Sequence, residues 1–501
     1  MVRDPTATAA ADPESEPLYR RLARQYSGYI AAGTLRPGDR MPSMRDFMRR
    51  HGVSLATATE TYRSLEREGL VHARPRSGYF VQRGRSAQLP AVAEPTPAIP
   101  DCAQFVGVHS KVSAVIAMCQ AAPQALNLGG ANAAAPELYP AEALRKLATA
   151  ALRHNPQLLT ATGIDPGNEY FRRMVARRAL DAGVQLAPDE VIVTHGGIEA
   201  VNLILRAVTR PGDTVAIESP CFSGLLQVQE ALGLRALEIP TSPSTGLVVE
   251  ALELALQTYD TIKAVVVMPN LHNPLGCSMP DAHKARLVEL CSRSGVALIE
   301  DESYRDLADA SMPLKPLKAW DTDGTVIYCV SLNKTLAPGM RLGWMNGGRW
   351  HARIGMLKSA QGRSNEEWPQ VVAAQFIQSR AYDRHLQRLK HHMRLLRARA
   401  AEAIAASFPP GTRFTPPEGG VTFWLELPAA VDALRLFEIA LGDGLCIMPG
   451  TIFSNSGRYD HFIRLSCGLA DPDLLDRSIR RVGMLARELA DDGQSACQEA
   501  R

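Results

Sequence analysis

The chain has 501 residues, 46% of them hydrophobic and 21% charged, with a net charge of +3. That length exceeds one ordinary core and predicts two or more domains of a soluble globular protein, while no apolar run approaches the ~18 residues that span a bilayer. The charge is uneven: residues 16–85 hold 14 arginines, no lysine and 6 acids, whereas residues 86–501 are net acidic, so a polyanion partner is expected for the first part only.

In chain order, MVRDPTATAAADPESEP breaks any apolar run with acids and prolines, so no secretory signal is expected there, and residues 1–15 are expected to be a disordered tail. Leu18, Leu22, Tyr26, Tyr29 and Ile30 recur at helical spacing up to Gly33. After the loop LRPGDRMPS, a second helix is expected from Met44 to about His51, and Gly52-Val53 turns the chain. Ser54 can cap a third helix running through Glu68 to Gly69, with Ala58, Tyr62 and Leu65 inward and Leu55, Thr57, Thr59 and Arg63 on other faces. LVHARPRSGYFV then alternates around RPRSG, as a two-stranded wing would. Residues 16–83 thus read as a winged helix-turn-helix, whose third helix suits a major groove. Residues 84–107, rich in Pro and Ala, read as a linker.

The stretches MPSMRDF, HGVSLATAT, LEREGLV and RPRSGYFV resemble the GntR family of bacterial regulators. That resemblance implies that Arg45, Ser54, Ala56, Thr57 and Thr59 contact DNA near the groove, and that Arg74, Arg76 and Gly78 do so from the wing. Arginine suits the task because its fork grips a phosphate or a guanine edge with two hydrogen bonds.

Residues 108–495 alternate apolar strands and helical stretches, the pattern of a mainly parallel α/β sheet, in which ligands gather beyond the carboxyl ends of the strands. Expected strands include 191–194, 214–217, 264–268, 296–300 and 325–330. After the first comes HGGIEAVNLILRAV, where Gly196, Gly197 and Ile198 offer helix N–H groups to an anion, although a plain strand-turn-helix uses the same residues. ESPCFSG places Phe222 after the second strand, and PNLHNPLG places Asn273 after the third. EDESY supplies Asp301 and Tyr304, and SLNKTLAPGMRLG supplies Ser331, Lys334 and Arg341. Singly each is ambiguous. Together they answer pyridoxal 5'-phosphate: Gly197, Ile198, Ser331 and Arg341 for the phosphate, and Lys334 for a Schiff base. Asp301 would face the ring nitrogen, Asn273 and Tyr304 the phenolic oxygen, and Phe222 would stack on the ring.

The same segments resemble the fold-type I aminotransferases over residues 108–490: NPLG is similar to their NPTG and DESY to their Asp-x-x-Tyr. GGVTFWLEL, IMPGTIFS and FIRLSCG resemble their C-terminal α+β small domain, which implies that Arg464 binds an α-carboxylate. Two positions depart from the pattern. Thr162 stands where a tyrosine commonly reaches the neighbouring subunit's cofactor, and Asn333 stands where serine is common. A GntR-type winged helix joined to such a domain resembles the MocR, or GabR-like, regulators. This implies a cytoplasmic homodimer that binds operator DNA and senses an amine, amino acid or B6 vitamer; the alternative is an active aminotransferase with an accessory DNA-binding domain. The nine cysteines show no CxxC pair or histidine spacing, so reduced thiols and no metal are expected.

Overall fold

The computed structural model describes residues 17–31, 34–36, 38–67, 70–74, 78–81, 89–95, 102–133, 135–163, 165–309 and 314–499. The expected tail, Gly33, Glu68, Gly69, Arg76 and the side chain of Arg74 lie outside them. The chain divides into two units, Met1–Gln88 and Leu89–Arg501.

In the first unit, α1 (Leu18–Ala31) buries Leu22, Ala23, Tyr26 and Ile30, while Leu18 and Tyr29 fall at the edges of that stripe and stay exposed. Ser43 starts α2 (Met44–His51) by accepting from the Asp46 N–H at 3.2 Å. Gly52 ends it with φ 63°, a left-handed conformation that glycine adopts without strain. On α3 (Leu55–Arg67) the expected stripe Ala58, Tyr62 and Leu65 is fully buried. The Tyr62 hydroxyl donates to the Pro42 carbonyl at 2.6 Å, so its polar tip is not orphaned in the core. β1 (Val71–Arg74) and β2 (Gly78–Val81) pair antiparallel, from Val71 opposite Val81 to Arg74 opposite Gly78. Helix, helix, turn, helix and wing are therefore all present.

The second unit is built on a sheet whose strands, in spatial order, are β3 (Gln104–Phe105), β7 (Arg235–Ser242), β6 (Thr214–Ser219), β9 (Ile262–Val267), β10 (Ala297–Asp301), β11 (Val326–Ser331), β12 (Gly343–Asn346) and β5 (Ile192–Thr194). β7, β6, β9, β10 and β11 run parallel. β12 is antiparallel to both neighbours, which turns β5 back into the parallel direction. Consequently β5, β6, β9, β10 and β11 all end at one edge. The central strands are mostly apolar because both faces are covered, and the polar residues of β6, β10 and β11 gather toward their carboxyl ends. Val265, Val267, Leu298 and Val326 enter one core cluster, and Val266, Ile299, Ile327 and Cys329 the other.

A four-stranded antiparallel sheet forms the small domain, centred on β14 (Thr422–Glu426) and β17 (Phe462–Ser466). Helices Arg380–Ser407 and Pro472–Glu499 accompany it, and Trp424 is buried between Phe453 and Phe462 with ring centroids 5.2 and 5.4 Å away. A separate parallel pair joins β4 (Leu126–Asn127) to β15 (Leu445–Cys446). The described residues of the segment read as a linker pack against this unit. The Pro90 carbonyl accepts from Phe414, Val92 is buried, and β3 joins the sheet. Among the described residues no helix is long and apolar enough to cross a membrane, and no metal-binding cluster occurs.

Candidate functional site

The five strand ends surround a cavity of about 210 Å³. Gly197, Ile198, Phe222, Asn273, Asp301, Tyr304, Ser331, Lys334 and Arg341 all line it. Thr162 is exposed and lies outside this cavity.

Close backbone approach shapes the phosphate end. Gly196 has φ 85°, and a Cβ there would come within 3.2 Å of Asn333 Nδ2 and 3.6 Å of Arg341 Nη2. A Cβ on Gly343 would lie 2.8 Å from the Gly196 Cα and 2.9 Å from the Val330 carbonyl, so no side chain fits. Helix α7 (Gly197–Val208) therefore starts without a side-chain cap, and its first N–H groups border the cavity together with the buried Ser331 hydroxyl. Arg341 reaches the same end from a left-handed backbone, φ 49°, and donates to the His195 carbonyl at 3.2 Å. Asn333 is buried, with its side-chain oxygen unpartnered among the described residues.

Lys334 lies at the other end. Its amine donates to Asn132 Oδ1 and sits 5.1 Å above the Tyr304 ring. Burial, reinforced by the positive charges of Arg464 and Arg341, lowers its pKa to about 8. Asp301 accepts from the Ser303 N–H at 3.0 Å and the Ser303 hydroxyl at 2.5 Å. Burial pushes that carboxyl above its ordinary range, and the Ser303 donors and Lys334 pull it back.

Arg464 is buried beneath Asn273. It donates to Asn273 Oδ1 at 2.9 Å and to the Gly129 carbonyl at 2.5 Å, and its guanidinium lies 4.9 Å from the Phe453 ring centroid. Burial lowers its pKa to about 10. With Asn273 Oδ1 taken, the amide NH₂ of Asn273 remains the donor toward the cavity. Tyr304 differs from expectation: its hydroxyl donates to the Ala131 carbonyl at 2.9 Å, so the phenol braces the 131–132 segment.

Three contributors escaped the sequence reading. Asn132 lies in the alanine-rich GGANAAAP, 202 residues from the lysine it touches, with no periodic signal. His272 and Glu218 form a buried pair at 3.3 Å on the cavity wall. Ser303 sits between two singled-out residues of DESY, where its hydrogen-bonding role was readable as an Asx-type turn.

The donor set fits one kind of small molecule: a phosphate against helix N–H groups, a hydroxyl and an arginine; a carbonyl carbon against a partly deprotonated amine; a ring nitrogen against a carboxyl.

In the first unit, Arg45, Ser54 and Ala56 are exposed, and Thr57 and Thr59 are half-buried. Ser54 accepts from the Thr57 N–H at 3.2 Å and shares a 3.0 Å hydroxyl contact with Thr57, so these two also cap the helix that carries them. Gly78, with φ 98°, begins β2 next to Arg40, whose Nε would lie 3.5 Å from a Cβ there.

The family described as aminotransferase class I and II matches residues 133–482, and the bacterial regulatory proteins of the gntR family match residues 18–81. The HTH-type transcriptional regulator YjiR of Escherichia coli (strain K12) is 34% identical over 472 residues, covering 93% of this chain and 98% of its own. YdcR of the same organism, also an HTH-type transcriptional regulator, is 34% identical over 479 residues, 94% of this chain and 99% of its own. Among solved structures, LysN, the α-aminoadipate aminotransferase of Thermus thermophilus complexed with N-(5'-phosphopyridoxyl)-L-leucine, is similar with a TM-score of 0.69 and 25% identity. That match covers 75% of this chain and 95% of LysN.

Proposed function

Since the chain belongs to the MocR-like regulators, a GntR-family helix-turn-helix followed by an aminotransferase class I and II domain, we propose that it senses an amine, amino acid or B6 vitamer through pyridoxal phosphate held at Lys334. It is a DNA-binding regulator whose large unit has the fold of the pyridoxal-phosphate-dependent aminotransferases of fold type I.

When bound, pyridoxal phosphate supplies an aldehyde that takes an amine covalently and a ring that withdraws electrons from it. Gly197, Ile198, Ser331 and Arg341 would hold the phosphate. Asp301 would hold a proton on the ring nitrogen, Phe222 would flank the ring, and the Asn273 amide would donate to the phenolic oxygen. Lys334, with its pKa near 8, carries enough neutral amine to react near neutral pH. Tyr304 and Asn132 position that amine.

Arg464 receives the carboxylate of an amino-acid effector. The observation that carries this reading is the Arg464–Asn273 hydrogen bond, because one guanidinium then answers to both the effector and the cofactor's donor. An effector that recruits Arg464 alters the grip of Asn273. That difference in binding energy shifts the balance between conformations and hence DNA affinity. Fold-type I sites are usually made by two subunits, so the working unit is a cytoplasmic homodimer whose two winged helices read two half-sites through Arg45, Ser54, Ala56, Thr57, Thr59 and the wing.

Titration of the promoter fragment with and without cofactor, across a panel of amines, tests the reading. Affinity indifferent to all of them would end it. The second reading, a working aminotransferase, is favoured by the presence of Lys334, Asp301 and Arg464 in one site. Stoichiometric keto-acid release from an amino acid would support it, and spectral change without release would support sensing.

A further inference from the structure

The sequence shows no cysteine pairing, yet two thiols far apart in the chain meet beside the site. Cys119, half-buried in the last turn of α4 (His109–Ala121), has its sulfur 2.9 Å from that of Cys446, which is buried in β15. A bonded pair lies at ~2.05 Å, so a small approach separates contact from bond. Among the described residues no other two thiols touch: Cys221, Cys277, Cys291, Cys329 and Cys467 are buried apart, and Cys102 is exposed.

We propose that Cys119 and Cys446 form a reversible disulfide that fastens α4 to the small domain and stiffens the segment 126–132 at the ligand site.

The geometry gives the linkage its consequence. β15 pairs with β4, and the Leu128 N–H donates to the Cys446 carbonyl at 2.8 Å. The Leu128 carbonyl then accepts from the Ser466 N–H, that of Gly129 holds Arg464, and Asn132 holds Lys334. Cys446 is therefore paired to the start of the segment whose following residues hold both the carboxylate-binding cation and the reactive amine.

The chemistry divides the two roles. Cys119 is the reachable sulfur, whereas burial and the neighbouring thiol push Cys446 up to about 12. A hydroperoxide oxidises the Cys119 thiolate to a sulfenic acid and is itself reduced to water or an alcohol. The Cys446 sulfur then attacks the Cys119 sulfur and hydroxide leaves, taking up the thiol proton as water. Two thiols are oxidised and one hydroperoxide is reduced. A dithiol restores both thiols by exchange.

The full-length protein, treated with hydrogen peroxide and then alkylated and digested, should yield a peptide joining Cys119 to Cys446. Dithiothreitol should dissolve it. Cys119→Ser and Cys446→Ala, two independent variants in case one fails to fold, should both lack it. Amide exchange across residues 126–132 should slow several-fold on oxidation of the natural chain and stay unchanged in the folded variant. These readouts need neither cofactor nor effector. Recovery of Cys119 as sulfinic or sulfonic acid, or joined to Cys102, would overturn the pairing; a linked peptide with unchanged exchange would overturn the stiffening.

Discussion

The winged helix and the sheet edge show two ways of making a binding surface. The candidate DNA contacts from Arg45 to Thr59 lie within fifteen residues, on two short helices, with the charge exposed to solvent. The cofactor cavity draws on residues from Asn132 to Arg341, backed by Arg464, and the half-buried amine of Lys334 and the buried guanidinium of Arg464 have lowered pKa values. Exposed charge acts at long range and is screened by salt. Buried charge acts at contact and is set by proton affinity. The first surface should therefore answer to ionic strength and the second to pH.

The largest effect expected is from Lys334→Ala. Borohydride-stable labelling with pyridoxal phosphate should vanish, while salt-sensitive DNA binding persists; loss of both would break the separation between regions. Arg464→Met comes next. Removing one partner of a buried, hydrogen-bonded charge costs on the order of 2–5 kcal/mol, so amino-acid effectors should bind at least ~30-fold more weakly, as calorimetry would read. Amines without a carboxylate should lose far less.

The pH response is intermediate in size. Only the neutral amine of Lys334 attacks, so the rate of cofactor attachment should rise about tenfold per pH unit below its pKa near 8 and level off above it. Stopped-flow absorbance would follow this, and a profile flat from acid to alkali would contradict the lowered pKa. Arg45→Ala should weaken operator binding modestly and reduce the slope of log affinity against log salt by about one, with cofactor attachment untouched. Smallest is Ser54→Ala, which removes the cap of α3 and should cost the first unit ~1 kcal/mol of stability in thermal unfolding.

Legibility in the sequence followed the same division. Ala58, Tyr62 and Leu65 could be assigned to the core because a helix repeats every 3.6 residues, and all three are buried. At the sheet edge, the apolar strands and the polar residues just past their ends were equally readable, because a parallel strand fixes where its successor loop emerges. The place of Tyr304 in DESY suggests a donor to the cofactor, whereas in the fold its hydroxyl donates to a backbone carbonyl 173 residues away. Asn132 was invisible for the matching reason: it comes from a loop without period, brought to Lys334 only when distant segments pack over the sheet edge.

Local periodicity and strand-end chemistry by themselves determined the three helices and wing of the first unit, and the lysine, carboxyl and amide of the cavity. Pairing across long sequence distance was decided only by the tertiary structure: Arg464 under Asn273, Asn132 on Lys334, Cys119 against Cys446. The reason is physical. Helix and strand repeats are written in neighbouring residues, whereas a contact between distant segments depends on how separate layers pack, and no single segment records that.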